Sequence, residues 1–163
     1  MTTRRQILTG GTAALAAGSG LFAPARAVRA AQGFPVTRTE AEWREILTPE
    51  EFAVLRQEDT ERAFSSPLND ETRPGIFTCA GCDSDLYDAA TKFKSGTGWP
   101  SFYQSLPGAV GTKPDRGLIF TRTEVHCARC GGHLGHVFDD GPKPTGKRHC
   151  LNGVALDFRP AAA

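Results

Sequence analysis

The spacing of the five cysteines divides them into two kinds. Cys79-Ala80-Gly81-Cys82 and Cys127-Ala128-Arg129-Cys130 are Cys-x-x-Cys knuckles, whereas Cys150 has no partner three residues away. A knuckle presents two sulfurs to one metal ion, so two knuckles facing each other supply the four thiolates of a closed tetrahedral zinc site. A pair of disulfides, or a thioredoxin-like redox pair in one knuckle, would use the same residues. Zinc held by Cys79, Cys82, Cys127 and Cys130 is the expectation, and it leaves Cys150 as a free thiol in Arg148-His149-Cys150-Leu151-Asn152. A neighbouring cation stabilises a thiolate, the nucleophilic form of cysteine.

Two other stretches could join it. His133-Leu134-Gly135-His136-Val137-Phe138 places two histidines three apart, fit for acid-base work, for metal ligation, or for hydrogen bonds that only support the fold. With four thiolates available, ligation is the weakest of these. Ser95-Gly96-Thr97-Gly98-Trp99-Pro100-Ser101-Phe102 joins a glycine-flanked turn to a rigid aromatic surface, which is either a pocket wall or a core tryptophan after a loop.

The elements that must position these residues are short. Thr39-Glu40-Ala41-Glu42 is a capping box opening a helix with Trp43, Ile46 and Leu47 on one face. Thr48-Pro49-Glu50-Glu51 opens a second, with Phe52 and Leu55 on its apolar side. From Gly75 onward apolar or alternating runs punctuated by Gly and Pro predict strands over Ile76–Cys79, Asp85–Ala89, Trp99–Leu106, Leu118–Cys127, His133–Phe138 and Cys150–Phe158. The expected fold class is mainly β, preceded by two short helices.

A chain of 163 residues is one domain in length. Met1–Ala27 reads as an export signal: Arg4-Arg5 gives the charged start, a weakly apolar Gly/Ala/Leu run follows, and Ala25-Arg26-Ala27 offers small residues to a signal peptidase. The adjacent arginines point to the twin-arginine translocase, and hence to a periplasmic protein. That route carries folded chains, so zinc would load in a reducing cytoplasm before the thiols meet an oxidising compartment. No cysteine lies near the cleavage site and the apolar run is short, so no stable membrane anchor is expected. Residues 28–38 read as a linker and 39–160 as the working domain. Three of the 19 basic residues fall in the leader, which has no acid; the remainder faces 18 acids. The mature chain is thus slightly acidic, with no basic stripe to suggest a nucleic-acid partner.

Together these residues resemble the peptide-methionine (R)-S-oxide reductases, the MsrB type. The resemblance is carried by Gly75–Cys82, Lys92–Phe102, Cys127–Pro142 and Arg148–Asn152, in the family's order, and it spans about Ile46 to Phe158. It implies two antiparallel sheets, a structural zinc, and an active site on a sheet surface. Cys150 would attack the sulfoxide of a methionine-R-sulfoxide residue in an oxidised protein, take its oxygen as a sulfenic acid and release methionine. His136 would be the acid, with His133 and Asp140 holding it or the oxygen. Asn152 would orient that network, Arg148 would keep Cys150 ionised, and Trp99 and Phe102 would bind the substrate methyl. Members that resolve the sulfenic acid internally use a second cysteine, and one place for it is the position occupied here by Thr97. With four cysteines committed to zinc, the reductant must be external, a thioredoxin-like protein or a small thiol. A rival expectation is a zinc-stapled β module that binds a ligand without catalysis.

Overall fold

The structure is a computed structural model, and it describes residues 33–116 and 121–162. The leader expected over Met1–Ala27 lies outside the described residues, as do Leu118, Ile119 and Phe120.

Both capping boxes form. Thr39 and Glu42 exchange side-chain-to-backbone bonds at the start of α1 (Glu40–Ile46), and Thr48 and Glu51 do the same for α2 (Pro49–Gln57). Such boxes satisfy amide hydrogens that a helix start leaves without partners. Trp43 and Leu47 are buried as expected, but Ile46 is exposed. With fewer than two turns in α1, only Trp43 and the capping residue Leu47, four apart, share the inner face.

Two antiparallel sheets follow. β1 (Gly75–Cys79) lies between β2 (Asp85–Asp88) and β9 (Leu156–Pro160) in a three-stranded sheet. The six-stranded sheet has the order β3-β4-β8-β7-β6-β5, from β3 (Lys92–Phe93), β4 (Ser101–Phe102), β5 (Val110–Arg116), β6 (Thr121–Cys127), β7 (His133–Phe138) and β8 (Arg148–Leu151). The run expected as one strand from Cys150 to Phe158 is two. A 3-10 turn at Gly153–Ala155 breaks it, sending β8 to one sheet and β9 to the other. The run expected over Trp99–Leu106 contributes only the two residues of β4.

Aromatic side chains join the sheets. Phe102 of β4 packs edge-on to Phe77 of β1 at 4.9 Å between ring centres and lies 4.6 Å from the Tyr87 ring of β2. Phe158 of β9 completes the cluster, 4.9 Å from Phe77. Because strand side chains alternate faces, β8 turns His149 and Leu151 towards this core and Arg148 and Cys150 away from it. His149 accordingly shares a 3.0 Å hydrogen bond with the Tyr87 hydroxyl and is not beside the Cys150 sulfur. No described helix is long and apolar enough to cross a membrane.

Candidate active site and metal centre

Cys150 sits in the middle of the larger sheet, directly opposite Ser101 of β4 on one side and His136 of β7 on the other. Directly opposed residues on antiparallel strands share a face, with Cβ atoms about 5 Å apart. This row therefore brings the expected nucleophile and the expected acid together. β7 approaches β8 so closely that a Cβ on Gly135 would collide with the Cys150 carbonyl, so glycine is required beneath the pair.

His136 donates from Nε2 to Asp115 Oδ2 at 2.8 Å, and the same oxygen accepts from Arg122 at 2.7 Å. A carboxylate can only accept, so the ring proton is on Nε2 when His136 is neutral, and Nδ1 is left for other work. Burial pushes His136 below the usual histidine range, while the Asp115 hydrogen bond pulls it back up. The bonds from His136 and Arg122 hold the Asp115 carboxyl below its ordinary range. The sequence reading missed Asp115. It lies on β5, a strand interrupted by Pro114, and proline is tolerated at a sheet edge where one row of amides has no partner. Only the pairing of β5 with β6, which sets Asp115 opposite Arg122, brings it to the site.

Asp140 instead holds Arg148, through a two-pronged pair at 2.9 and 2.8 Å, and Arg148 lies over the Phe138 ring, 4.4 Å from its centre. The Asp140 bonds favour the charged form of Arg148 most, burial opposes it, and the Cys150 sulfur adds a further pull. Arg148 thus stands where a cation is useful to the nucleophile. The expectation that Asp140 holds His136 gives way to a role in fixing Arg148.

Three other expected site residues make contacts within the fold, and His133 also lies edge-on to the His136 ring, 5.5 Å between centres. His133 is 3% exposed and gives its Nδ1 proton to buried Glu124 at 2.8 Å, with Lys113 completing the cluster 3.0 Å from Glu124. Phe102 is 0% exposed, so it cannot touch a substrate; alternation along β4 points it into the core, opposite in sense to Ser101. Asn152 is buried with both ends of its amide occupied, Oδ1 accepting from the Glu61 amide at 3.0 Å and Nδ2 donating to the Leu134 carbonyl at 3.2 Å. It fastens the segment after α2 to β7 rather than facing the sulfur.

Glu61 in that segment was also missed. Its carboxylate accepts from the Gly153 and Val154 amides at 2.6 and 3.0 Å, and its carbonyl accepts from Trp99 Nε1 at 3.2 Å. The half-buried Trp99 is therefore oriented from behind, through Glu61, by the turn that follows Cys150. Phe64 completes this edge, its amide bonded to the Gly98 carbonyl at 2.8 Å and its ring largely exposed.

The two knuckles meet at the edge where β1 and β6 end. All four sulfurs lie within 4.8 Å of one another, with Cys79 3.7 Å from Cys130 and Cys82 3.6 Å from Cys127. Four thiolates about 2.3 Å from a central ion stand about 3.8 Å apart along a tetrahedral edge, whereas a disulfide needs about 2 Å. The close pairs also join different knuckles, which suits one ion shared by both more than a redox pair within one. Neighbouring sulfurs, Cys127 foremost, push the Cys79 thiol up and the Cys82 thiol down, because four thiolates so crowded cannot all ionise without a cation. The residues fit a metal ion. Phe34 braces the site from the segment expected as linker: its ring lies edge-on to His126 at 5.6 Å and against Gly131, and Val36 donates to the Arg129 carbonyl at 2.8 Å.

Comparison with known proteins gives this arrangement its relatives. Residues 47–160 match the SelR domain. The chain belongs to the SelR family. Its relatives there carry the MsrB name. The peptide methionine sulfoxide reductase MsrB of Methanosarcina barkeri is 52% identical over 125 residues, covering 76% of this chain and 88% of that protein. That of Leifsonia xyli subsp. xyli is 51% identical over 129 residues, covering 78% and 93%. The chloroplastic peptide methionine sulfoxide reductase B1 of Arabidopsis thaliana is 55% identical over 119 residues, covering 72% and 59%. The two sheets, the paired short helices and the cysteine cluster are the fold of this SelR chain.

Proposed function

We propose that the chain reduces methionine-R-sulfoxide residues of oxidised proteins to methionine, with Cys150 as nucleophile and an external thiol as reductant. Membership of the MsrB type supports sulfoxide reduction, and the choice of the R epimer follows the family. The observation that carries the assignment of residues is the pairing of Cys150 with His136 on one partly buried sheet face, with Arg148 beside the sulfur and Asp115 behind the imidazole.

The Cys150 thiolate attacks the sulfoxide sulfur. The oxygen gains a proton from His136, whose charged form keeps Nε2–H on Asp115 and has Nδ1–H free to donate. The sulfur–oxygen bond of the substrate and the transient bond between the two sulfurs both break as the protonated oxygen moves to Cys150 as a sulfenic acid, and the two electrons that Cys150 gives up leave with methionine. Two external thiol groups then return Cys150 to the thiol, forming one disulfide and one water. The aromatic face of Trp99 receives the substrate methyl. Zinc is the ion proposed for Cys79, Cys82, Cys127 and Cys130, and when bound it supplies a closed structural centre with no open position. Export by the twin-arginine translocase to the periplasm is proposed on Met1–Ala27 alone.

Mass spectrometry of the Cys150 peptide after one turnover without reductant tests the single-cysteine cycle. The expected product is a sulfenic acid, captured as its dimedone adduct; a disulfide from Cys150 to any of the other four cysteines would refute it.

A further inference from the structure

Thr97 Oγ1 is 3.7 Å from Cys150 Sγ and 2.9 Å from Ser95 Oγ. Ser95 Oγ is in turn 2.7 Å from Ser101 Oγ, and Ser101 donates to the Trp99 carbonyl at 3.1 Å. Each hydroxyl has one proton to give, so the direction of the whole chain is set from its end. With the Ser101 proton on the Trp99 carbonyl, Ser101 must accept from Ser95, and Ser95 must accept from Thr97. Thr97 then has no proton left for sulfur and accepts from it, which suits a Cys150 thiol. A thiolate requires the opposite: Thr97 donates to sulfur, Ser95 to Thr97 and Ser101 to Ser95, and the Trp99 carbonyl is released.

From this geometry we propose that Thr97, Ser95 and Ser101 form a reversible hydroxyl chain that adapts to the ionisation of Cys150. Thr97 is a positioning residue for the nucleophile, accepting from the thiol and donating to the thiolate. Ionisation releases the Cys150 proton to solvent; the hydroxyls only rotate, and no bond in them breaks. The chain ends at the carbonyl of Trp99, so the charge on the sulfur is felt by the residue proposed as the pocket wall. Ser95 and Ser101 also line a cavity of about 250 Å³ behind the loop, with Lys92, Lys94 and Asp70 around it, which gives the hydroxyls room to turn. A charge-assisted bond of this kind is stronger than a neutral one.

The inference rests on Cys150 as the proposed nucleophile, but its test needs no turnover. The charged and titratable groups on the side of Cys150 are Arg148 on its own strand and His136 on β7, with Asp115 behind His136; β4 and the loop bring hydroxyls, with Lys92, Lys94 and Asp70 around the cavity that Ser95 and Ser101 line. Thr97 variants leave those charges in place. Iodoacetamide alkylation of Cys150 in the intact chain, read by mass on its peptide across pH, reports the thiolate. In Thr97→Val, which keeps the shape and loses the donor, the half-maximal pH is expected to rise by about one unit. Thr97→Ser is expected to match the wild type, and Ser95→Ala, which leaves Thr97 in place but removes its link to Ser101, to fall between. A wild-type profile in Thr97→Val, or an equal shift in Thr97→Ser, would overturn the proposal. If Thr97→Val does not fold, a wild-type profile in Ser95→Ala decides against it. A normal chain with an inactive enzyme would instead count against the proposed reaction.

Discussion

His136 is held by Asp115 and not by Asp140, and that changes what each carboxylate is expected to do. Asp115 favours the imidazolium that burial disfavours. The charged fraction of His136 grows as pH falls through its lowered range, so the rate of oxygen protonation should rise from pH 8 towards pH 6. His136→Gln should lose about 100-fold in kcat together with this dependence. Asp115→Asn should lose about tenfold and move the limb to lower pH, since the support for the charge is gone while the ring stays in place. Steady-state pH profiles of the two variants check this; an Asp115→Asn limb unmoved from that of the wild type would contradict it. The same reasoning assigns Asp140 to Arg148: Asp140→Asn should leave the His136 limb where it is.

At the scale of elements, the sheet register places the chemistry, and the register depends on Gly135. Gly135→Ala must push β7 from β8, because the added Cβ meets backbone rather than a movable side chain. A loss of about 3 kcal/mol in urea unfolding is expected, with Cys150 alkylation perturbed along with stability. The segment before α1 has its own part. Phe34→Ala removes the ring that packs against His126 and Gly131, which flank the second knuckle, so release of the metal to a chromogenic chelator should quicken several-fold while the circular dichroism of the sheets persists. Unchanged release would show that the brace does not bear on the ion.

How far these elements could be read from the sequence differs with what fixes them. The capping boxes and the short β7 run after the second knuckle are local signals, and both helices and His133–Phe138 appear where they were expected. The pairing of the knuckles was legible as chemistry, since four sulfurs suit one ion whatever the intervening chain does. β5 was not legible: Lys113, Pro114, Asp115 and Arg116 fall in none of the expected strands, and only pairing with β6 makes them one. With β5 went Asp115. Phe102 was misread because a motif gives neighbours along the chain, whereas the face of β4 decides which neighbour points outwards. Glu61 and Asn152, 91 residues apart, meet only once the fold is formed.

For the whole molecule, two linkages follow. The metal ties the ends of β1 and β6 to both knuckles, so it binds the folded chain far better than the unfolded one. Removing it with a strong chelator should lower Tm by about 10 °C or more. Acid should also destabilise the fold. Burial, helped for His149 by the Lys147 charge, pushes both His136 and His149 below the usual histidine range. Above about pH 6.5 both are neutral folded or unfolded and contribute no pH dependence. As pH falls below that value the unfolded chain binds protons that the folded chain resists, so stability is lost towards pH 5. Urea midpoints at pH 7.5, 6 and 5 should decline in that order. The decline should be shallower in His149→Gln, whose amide can still pair with Tyr87; an equal slope would remove His149 from the account.

The central claim, that Cys150 reduces the R epimer of methionine sulfoxide, is tested most directly by a stereospecific assay. Residues 28–163 would be incubated with peptides carrying either methionine-R-sulfoxide or methionine-S-sulfoxide and dithiothreitol, beside Cys150→Ser. The account predicts that the R form alone is consumed and that Cys150→Ser abolishes it while retaining the metal and the fold. Consumption of the S form, persistence of turnover in Cys150→Ser, or no turnover by a folded, metal-loaded chain would contradict it.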